Sequence, residues 1–230
     1  DYNLSFSPRF ATVFHFNNSS TFKLLYSNAF RKPDIFEAYY ADRDVSKANP
    51  DLMPEKLNTV EGIWNYNMSE RVQSSISIFY NHFVDLINDK VDPADSLIQF
   101  LNSAHAGIAG IELGALAQVS KNIRFNFGYS FQKTSHHSDD YSIYNSPKHV
   151  LKGLFNYQVP NVLNLSVEMY HESGRMTIYD SNTSSFFLTN LTLNTLNFSQ
   201  HFNLSLRMIN LFNAEYEYPG GYELIQRGIR

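Results

Sequence analysis

"NIRFNFGYSFQ", residues 122–132, alternates between two kinds of side chain. Between Ile123 and Phe131 every odd position is large and apolar, and every even position is polar or glycine. A repeat of two residues is typical of an extended strand, because successive side chains point to opposite faces. One face of this strand therefore meets an apolar environment, which is either a protein interior or lipid.

The same alternation recurs along the whole chain. It is present in nine further segments, at residues 9–16, 21–30, 59–68, 72–80, 110–119, 149–157, 163–171, 189–196 and 202–208. Together with residues 122–132 these segments predict ten β-strands. Most of them are close to the ~10 residues that a tilted strand needs to cross a bilayer.

The connections between these strands alternate strictly in length. Short turns lie at residues 17–20, 69–71, 120–122, 158–162 and 197–201, and long loops at 31–56, 84–102, 133–146, 173–185 and 213–230. A soluble sandwich has no reason to place every long loop at one end, whereas outer-membrane barrels have short periplasmic turns and long extracellular loops. The pattern predicts an all-β fold, part of an antiparallel up-and-down transmembrane barrel.

Composition favours lipid as the apolar environment. Aromatic residues make up 15% of the chain and charged residues only 17%, whereas about a quarter of a soluble domain is charged. The polar faces of the predicted strands carry too many ionisable groups for a closed dry core, namely Lys23, Glu61, Glu112, Arg124, Glu168 and Arg207. Such groups fit a water-filled or plugged lumen. We therefore expect Phe125, Phe127, Tyr129 and Phe131 to face outer-membrane lipid.

Several classes of function are disfavoured. The net charge of −4 gives no indication of a nucleic-acid surface, and the absence of cysteine excludes disulfides and thiolate metal sites. The sequence contains no nucleophile elbow of the G-x-S-x-G type and no glycine-rich phosphate loop after a strand. We expect neither catalytic residues nor a cofactor, and the chain is not expected to be an enzyme.

Six stretches resemble the TonB-dependent outer-membrane receptors. They are "SPRFATVFHF" (7–16), "KLLYSNAFRKPDIFEAYY" (23–40), "NPDLMPEKLNTVEGIWNY" (49–66), "GIAGIELGAL" (107–116), "SPKHVLKGLFNY" (146–157) and "MINLFNAEYEYPGGY" (208–222). The resemblance covers essentially the whole chain, and the order and spacing of the motifs are more specific than any one of them.

The resemblance implies a barrel of about 22 strands that surrounds an N-terminal plug domain. It also implies import of a scarce, bulky nutrient such as a ferric siderophore, haem or cobalamin, driven by the TonB complex through the plug. Residues 1–230 are then expected to be the C-terminal part of the barrel, without the plug, the early strands and the last strand. We expect an open sheet whose first and last strands do not pair.

The longest predicted loop holds the strongest candidates for ligand binding. "EAYYADRDVSK" (37–47) combines Tyr39, Tyr40 and Arg43, and rings beside a guanidinium suit a catecholate-iron or planar anionic ligand. The alternative is that these aromatics pack within the loop or at the membrane interface. Arg175 and Tyr179 in "SGRMTIYD" (173–180) are weaker candidates for the same ligand.

His136 and His137 lie in "SHHSDD" (135–140) of another long loop. Imidazole is a common metal ligand, so a metal or haem contact is one interpretation. Adjacent histidines on a flexible loop lack the geometry of a preformed site, and we favour a solvated polar loop. No metal site is predicted.

Two other functions remain open at this point. An outer-membrane barrel of this kind could act as a passive pore or as an adhesion surface, and a plug domain with a TonB box upstream would argue against both. A soluble all-β binding module of the lectin type would stay monodisperse without detergent, which separates it from any membrane barrel.

Overall fold

The computed structural model describes residues 6–136, 144–177, 181–195, 202–217 and 228–229. Strands dominate this part of the chain, with one short helix between the second and third. The elements are β1 (Arg9–Asn17), β2 (Ser20–Arg31), α1 (Ile35–Tyr39), β3 (Glu55–Ser69), β4 (Val72–Val91), β5 (Ile98–Gln118), β6 (Ile123–His136), β7 (His149–Val159), β8 (Leu163–Glu172), β9 (Phe186–Thr195), β10 (Ser205–Ile209) and the two-residue β11 (Gly228–Ile229).

All strands form one sheet in which each strand pairs with its neighbours in sequence. Every pairing is antiparallel, which confirms the predicted up-and-down topology. Within the described residues β1 and β11 are the two edges and do not pair with each other, so the sheet is open. Open edges leave backbone N–H and C=O groups without ladder partners, which no membrane sheet tolerates in hydrocarbon.

The register separates an apolar face from a polar face. One row of directly opposed residues crosses seven strands and is apolar throughout: Phe14, Phe22, Trp64, Ile76, Leu113, Tyr129 and Leu151. Phe125, Phe127 and Phe131 share this face, as predicted, because they lie at even spacings from Tyr129 along β6. Arg124, Asn126 and Ser130 lie on the opposite face.

The polar face is hydrogen-bonded between strands. Ser77 of β4 lies opposite Glu112 of β5, which in turn lies opposite Ser130 of β6. The Ser77 hydroxyl also donates to Glu61 Oε1 of β3 at 2.7 Å. Farther along the same two strands, Thr59 Oγ1 of β3 donates to Asn81 Oδ1 of β4 at 2.7 Å.

Among the described residues, no second layer covers the apolar face. Phe10, Phe16 and Ile78 are 67%, 70% and 62% exposed, respectively. The few buried apolar residues among those described lie in connections, at the start of β9 or within the first half of β5: Ala38, Leu52, Ala104, Ala106, Phe186 and Tyr216. A soluble sheet of this size would bury such a face against a second layer, so the face requires another apolar environment.

The single tryptophan of the chain lies on this apolar face. Trp64 is 46% exposed, and its indole N–H donates to Ser20 Oγ at 2.8 Å. Ser20 is the first residue of β2, directly after the turn 18–19. The hydrogen bond therefore fixes the indole toward the turn end of the sheet.

The prediction of a long loop at 84–102 is wrong. β4 continues to Val91 and β5 begins at Ile98, so the connection is only residues 92–97. The pairing shifts between Phe83 and Leu86, where Asp85 adopts a left-handed backbone with φ of 60°. A bulge of this kind interrupts the alternation of side chains and then restores pairing, so the sequence pattern breaks while the strand does not.

The other long connections agree better with the predictions. Residues 32–54, 137–148 and 173–185 connect an even-numbered strand to the next odd-numbered one, as do residues 92–97. Because consecutive strands are antiparallel, these connections share one end of the sheet, called here the loop end. The described turns share the other end; the predicted turn 197–201 lies outside the described residues. No helix in the described residues is long and apolar enough to cross a membrane.

A candidate ligand-binding surface at the loop end

The first long connection begins with a capped turn of helix. Asp34 is the N-cap of α1, and its side chain accepts a hydrogen bond from Glu37 N at 2.7 Å. Glu37 Oε2 in turn accepts from Asp34 N at 2.8 Å, which completes a capping box. A helix of five residues is too short to be stable alone, so its position depends on such contacts.

Arg31, the last residue of β2, ties this helix to the sheet. Its Nη1 and Nη2 donate to the two carboxylate oxygens of Glu37 at 3.0 and 2.9 Å. Its Nε donates to Glu55 Oε2 at the start of β3. Glu55 Oε1 accepts from Ile87 N at 2.8 Å, just beyond the bulge of β4. One guanidinium therefore connects α1 to three strands.

Tyr39 and Tyr40 end this helix with their rings accessible. They are 61% and 45% exposed. The ring of Tyr40 stacks on Phe36, with centroids 4.5 Å apart, and Phe36 contacts Phe100 of β5 edge-on at 6.0 Å. Phe36 itself remains 55% exposed. The helix thus presents three exposed aromatic rings, of which Phe36 contacts β5.

Arg43 follows the aromatic rings and is also exposed. Among the described residues its guanidinium has neither an ion pair nor a hydrogen bond, in contrast to Arg31 and Arg175. An unpaired guanidinium near exposed rings offers both charge and stacking to an anionic ligand. The structure therefore brings three predicted candidates, Tyr39, Tyr40 and Arg43, into one exposed segment.

The second half of the same connection is attached to β5. Ile98 N donates to Val45 O, and Lys47 N donates to Ile98 O, both at 2.9 Å. Asn49 Nδ2 donates to Phe100 O at 2.8 Å. These bonds hold residues 45–49 against the start of β5, where Ser46 and Ile98 form a single isolated parallel bridge.

An ion cluster closes this attachment. Lys47 Nζ lies 2.8 Å from Asp95 Oδ2 and also contacts Asp92, both in the connection between β4 and β5. Its hydrogen bonds to Asp92 and Asp95 raise the pKa of Lys47 above its ordinary value of 10.5. The same hydrogen bonds hold the pKa of each aspartate below its ordinary value of 3.8.

Arg175 lies in a different environment from Arg43. Its side chain is only 11% exposed, and Nη2 lies 3.0 Å from Glu172 Oε1. Glu172 Oε2 accepts from the Tyr170 hydroxyl at 2.6 Å. Arg175 N and O are hydrogen-bonded to Thr183 across the connection. This guanidinium is thus paired with the end of β8, and its role as a ligand contact stays a prediction.

The remaining candidates are only partly described. His136 is the last residue of β6, where its backbone pairs with Ala106 of β5. His137 and Tyr179 lie outside the described residues. Among the residues that are described, no group of three or more His, Asp or Glu side chains is arranged to hold a metal ion.

Most of the contacts that position this surface are not evident from the sequence. The capping box was readable, because Asp34 and Glu37 have the spacing that marks a helix start. The contacts of Arg31 with Glu55 and of Phe36 with Phe100 join residues far apart in sequence. Nothing in the local pattern indicates them.

The fold matches solved outer-membrane proteins. The ferric-catecholate import receptor Fiu from E. coli aligns with 96% of this chain and 33% of its own, at 14% identity and a TM-score of 0.77. A variant of the ferric enterobactin receptor PfeA from Pseudomonas aeruginosa, solved with enterobactin, aligns with 97% of this chain and 39% of its own, at 14% identity and a TM-score of 0.81. The copper transporter OprC aligns with 97% of this chain and 38% of its own, at 18% identity and a TM-score of 0.77. At such identities the likeness shows the fold alone.

The chain thus spans about a third to two fifths of the length of these solved structures. No protein of curated function matches it. The family model described as "TonB dependent receptor-like, beta-barrel" matches residues 1–211. Members of that family are outer-membrane β-barrels and act as receptors. With nearly all of its strands inside this match, the chain belongs to the TonB-dependent receptor β-barrel family.

Proposed function

We propose that this chain is the C-terminal part of the barrel of a TonB-dependent receptor that imports a scarce, bulky nutrient such as a ferric siderophore, haem or cobalamin. The loop 32–54 captures the ligand outside the cell through Tyr39, Tyr40 and Arg43. One observation carries the proposal. Exposed rings and a guanidinium without a partner among the described residues lie at the loop end of a sheet that belongs to this family.

The chemistry of this surface favours a planar, electron-rich ligand with negative charge. Tyr39 and Tyr40 present ring faces and phenolic hydroxyls, and Arg43 supplies a delocalised cation that binds anions and stacks on rings. A ferric catecholate combines aromatic rings with net negative charge. Two of the solved relatives are named for ferric catecholate and ferric enterobactin, whereas another is named for copper.

The orientation in the membrane follows from the two faces of the sheet. The apolar face contacts outer-membrane lipid, because its rings are exposed and no second layer covers them within the described part of the chain. The polar face lines the lumen, where an N-terminal plug domain of the same protein and water contact Glu61, Glu112 and Arg124. The loop end lies outside the cell, and the TonB complex acts through the plug from the opposite side.

A passive pore is the second candidate, because a wide barrel with a polar lumen conducts solutes unless it is plugged. The two functions differ in their dependence on energy. Uptake by a receptor stops when the TonB complex is deleted, whereas diffusion through a pore continues.

The proposal is tested with the complete receptor in a strain that lacks the chromosomal copy. Growth is measured on a panel of ferric siderophores, haem and cobalamin as sole sources, with and without the TonB complex. Growth on at least one source that requires the TonB complex supports the proposal. Equal growth without the TonB complex on every source would identify a pore.

The surface is tested with the double variant Tyr39→Ala/Tyr40→Ala. Each ring contributes ~0.5–1.5 kcal/mol of stacking, so we expect the loss of both to lower the affinity for the transported chelate by roughly 5- to 150-fold. Tyr157→Ala is the matched control, since this tyrosine is 37% exposed but lies toward the turn end of β7. Unchanged affinity in the double variant would exclude these tyrosines from the site.

A further inference from the structure

Loop 32–54 has two attachments to the sheet, and they differ in kind. Its second half is held by backbone and side-chain hydrogen bonds to β5, including a pair of bonds between Asn102 and Met53 at 2.8 Å. Its first half, the helix α1, is joined to β2 and β3 by the ion pairs of Arg31, and it also contacts β5 through the rings of Phe36 and Phe100. Tyr39 and Tyr40 lie between these attachments, at the end of the helix that Arg31 holds.

The ionic arrangement around Arg31 depends on a single cation. Glu37 and Glu55 have side chains only 14% and 15% exposed, and Arg31 contacts both. Carboxylates brought this close repel each other when no cation lies between them, and partial burial strengthens the repulsion. Removal of Arg31 therefore drives Glu37, and with it α1, away from the strand ends.

The geometry also requires a guanidinium. Arg31 uses the two terminal nitrogens for a forked contact with Glu37 and the remaining Nε for Glu55. A lysine ammonium is a point charge on a flexible stem and cannot form the fork to one carboxylate while it holds the second in a fixed direction. The contact therefore fixes the direction of the helix as well as its distance.

The contacts around Arg31 are also linked to the hairpin formed by β4 and β5. Glu55 Oε1 accepts from Ile87 N, and Asn102 Nδ2 donates to Asp85 O at 2.7 Å while it also donates to Met53 O. Both contacts lie at the bulge of β4. Helix α1, the second half of loop 32–54 and the hairpin are thereby attached at one place, next to the sheet.

We propose that Arg31 is the positioning residue of the ligand-binding surface: it holds α1 against the ends of β2, β3 and β4, so that Tyr39 and Tyr40 are ordered before the ligand arrives. Arg31 acts through the helix and does not contact the ligand. The part that concerns ligand affinity rests on the proposed function, whereas the part that concerns the order of α1 does not. Ordering in advance lowers the entropy lost on binding, so its loss appears mainly as faster dissociation.

The first test measures amide hydrogen exchange in the complete receptor. In Arg31→Gln we expect the amides of Ala38 and Tyr40, which close α1, to exchange about tenfold faster or more. The amide of Ile87 should also exchange faster, while amides of β6 stay unchanged. Arg71→Gln is the control, because Arg71 lies at the turn end. Unchanged exchange in α1 would overturn the proposal.

Two further variants separate positioning from loss of folding. Glu37→Gln keeps the capping box, since glutamine serves in that position, but loses the charged fork. It should speed exchange in α1 and leave Ile87 protected. Arg31→Lys keeps the charge, and we expect it to restore only part of the protection. Full restoration by lysine would show that charge alone suffices and would overturn the requirement for a forked guanidinium contact.

The second test measures binding of a ferric tris-catecholate chelate. Arg31→Gln should raise its dissociation rate constant roughly tenfold, and Tyr39→Ala/Tyr40→Ala in that background should add little. Fully additive effects would show that Arg31 does not act through the tyrosines. If the unaltered receptor fails to bind this chelate, the choice of ligand in the proposed function is wrong, and the exchange experiment alone decides the role of Arg31.

Discussion

Replacement of Phe127 by arginine places a charge on the apolar face near the middle of the membrane. Phe127 lies four positions after Ile123, which is the first residue of β6. At about 3.4 Å per residue this is ~14 Å along the strand, or ~10 Å along the membrane normal for a tilt of about 40°. The apolar band of such barrels is ~25 Å tall, so a band that begins at the turn end has its middle near this residue.

The residues directly opposite Phe127 offer the new charge no ion-pair partner. It lies opposite Ala115 of β5 and Gly153 of β7, so no carboxylate is directly across from it. We therefore expect Phe127→Arg to destabilise the complete receptor by ~2–4 kcal/mol, the range for arginine at the bilayer midplane. Asn126→Arg, one position away on the polar face, should change stability by less than about 0.5 kcal/mol.

Equilibrium unfolding in urea, with the receptor refolded into phospholipid vesicles, measures both changes. If Phe127→Arg is as stable as the unaltered receptor and Asn126→Arg is not, the two faces are assigned the wrong way round. Since a shift of one residue exchanges every side chain between the faces, that result would refute the lipid-facing assignment of all the strands.

Two further predictions concern the packing and the charges of the loop end. Gly110→Ala should cost ~1–3 kcal/mol, because an added Cβ would lie 2.4 Å from Phe79 Cζ and 2.7 Å from Phe131 O, whereas a Cβ at Gly128 has nothing within 4 Å; urea unfolding of the two variants compares them. The contribution of the Lys47 cluster to loop attachment should be constant between about pH 4 and 10. It is lost as pH falls below 3.8 through the lowered pKa values of Asp92 and Asp95, and as pH rises above 10.5 through the raised pKa of Lys47. Protease cleavage of loop 32–54 measured against pH should show the acidic step, and Lys47→Met should abolish it; an unchanged acidic step in that variant would contradict the assignment.

The strands were predictable because their physical cause is local. The faces of β6 follow from alternation alone, and an antiparallel partner on each side leaves little choice of register once one face is apolar. The bulge at Asp85 was not predictable in this way, because it shifts the alternation by one residue and makes a continuing strand resemble a loop. β4 and β5 therefore extend well beyond the predicted segments 72–80 and 110–119.

The candidate site was predictable only in its residue types. Tyr39, Tyr40 and Arg43 are notable in sequence because rings and a guanidinium are close together. Arg175 has the same chemistry, yet the structure pairs it with Glu172 and leaves its side chain only 11% exposed. Which guanidinium is paired depends on carboxylates brought near by strand pairing, and this information is absent from the local sequence.

The hydrogen bond between Trp64 and Ser20 has a spectroscopic consequence. Since this is the only tryptophan in the chain, indole fluorescence from residues 1–230 reports a single location on the sheet. Ser20 is 7% exposed and holds the indole N–H toward the turn, while the ring is on the face that we assign to lipid. The emission wavelength, and quenching by brominated acyl chains, therefore measure how deep the turn end of β3 lies below the headgroups.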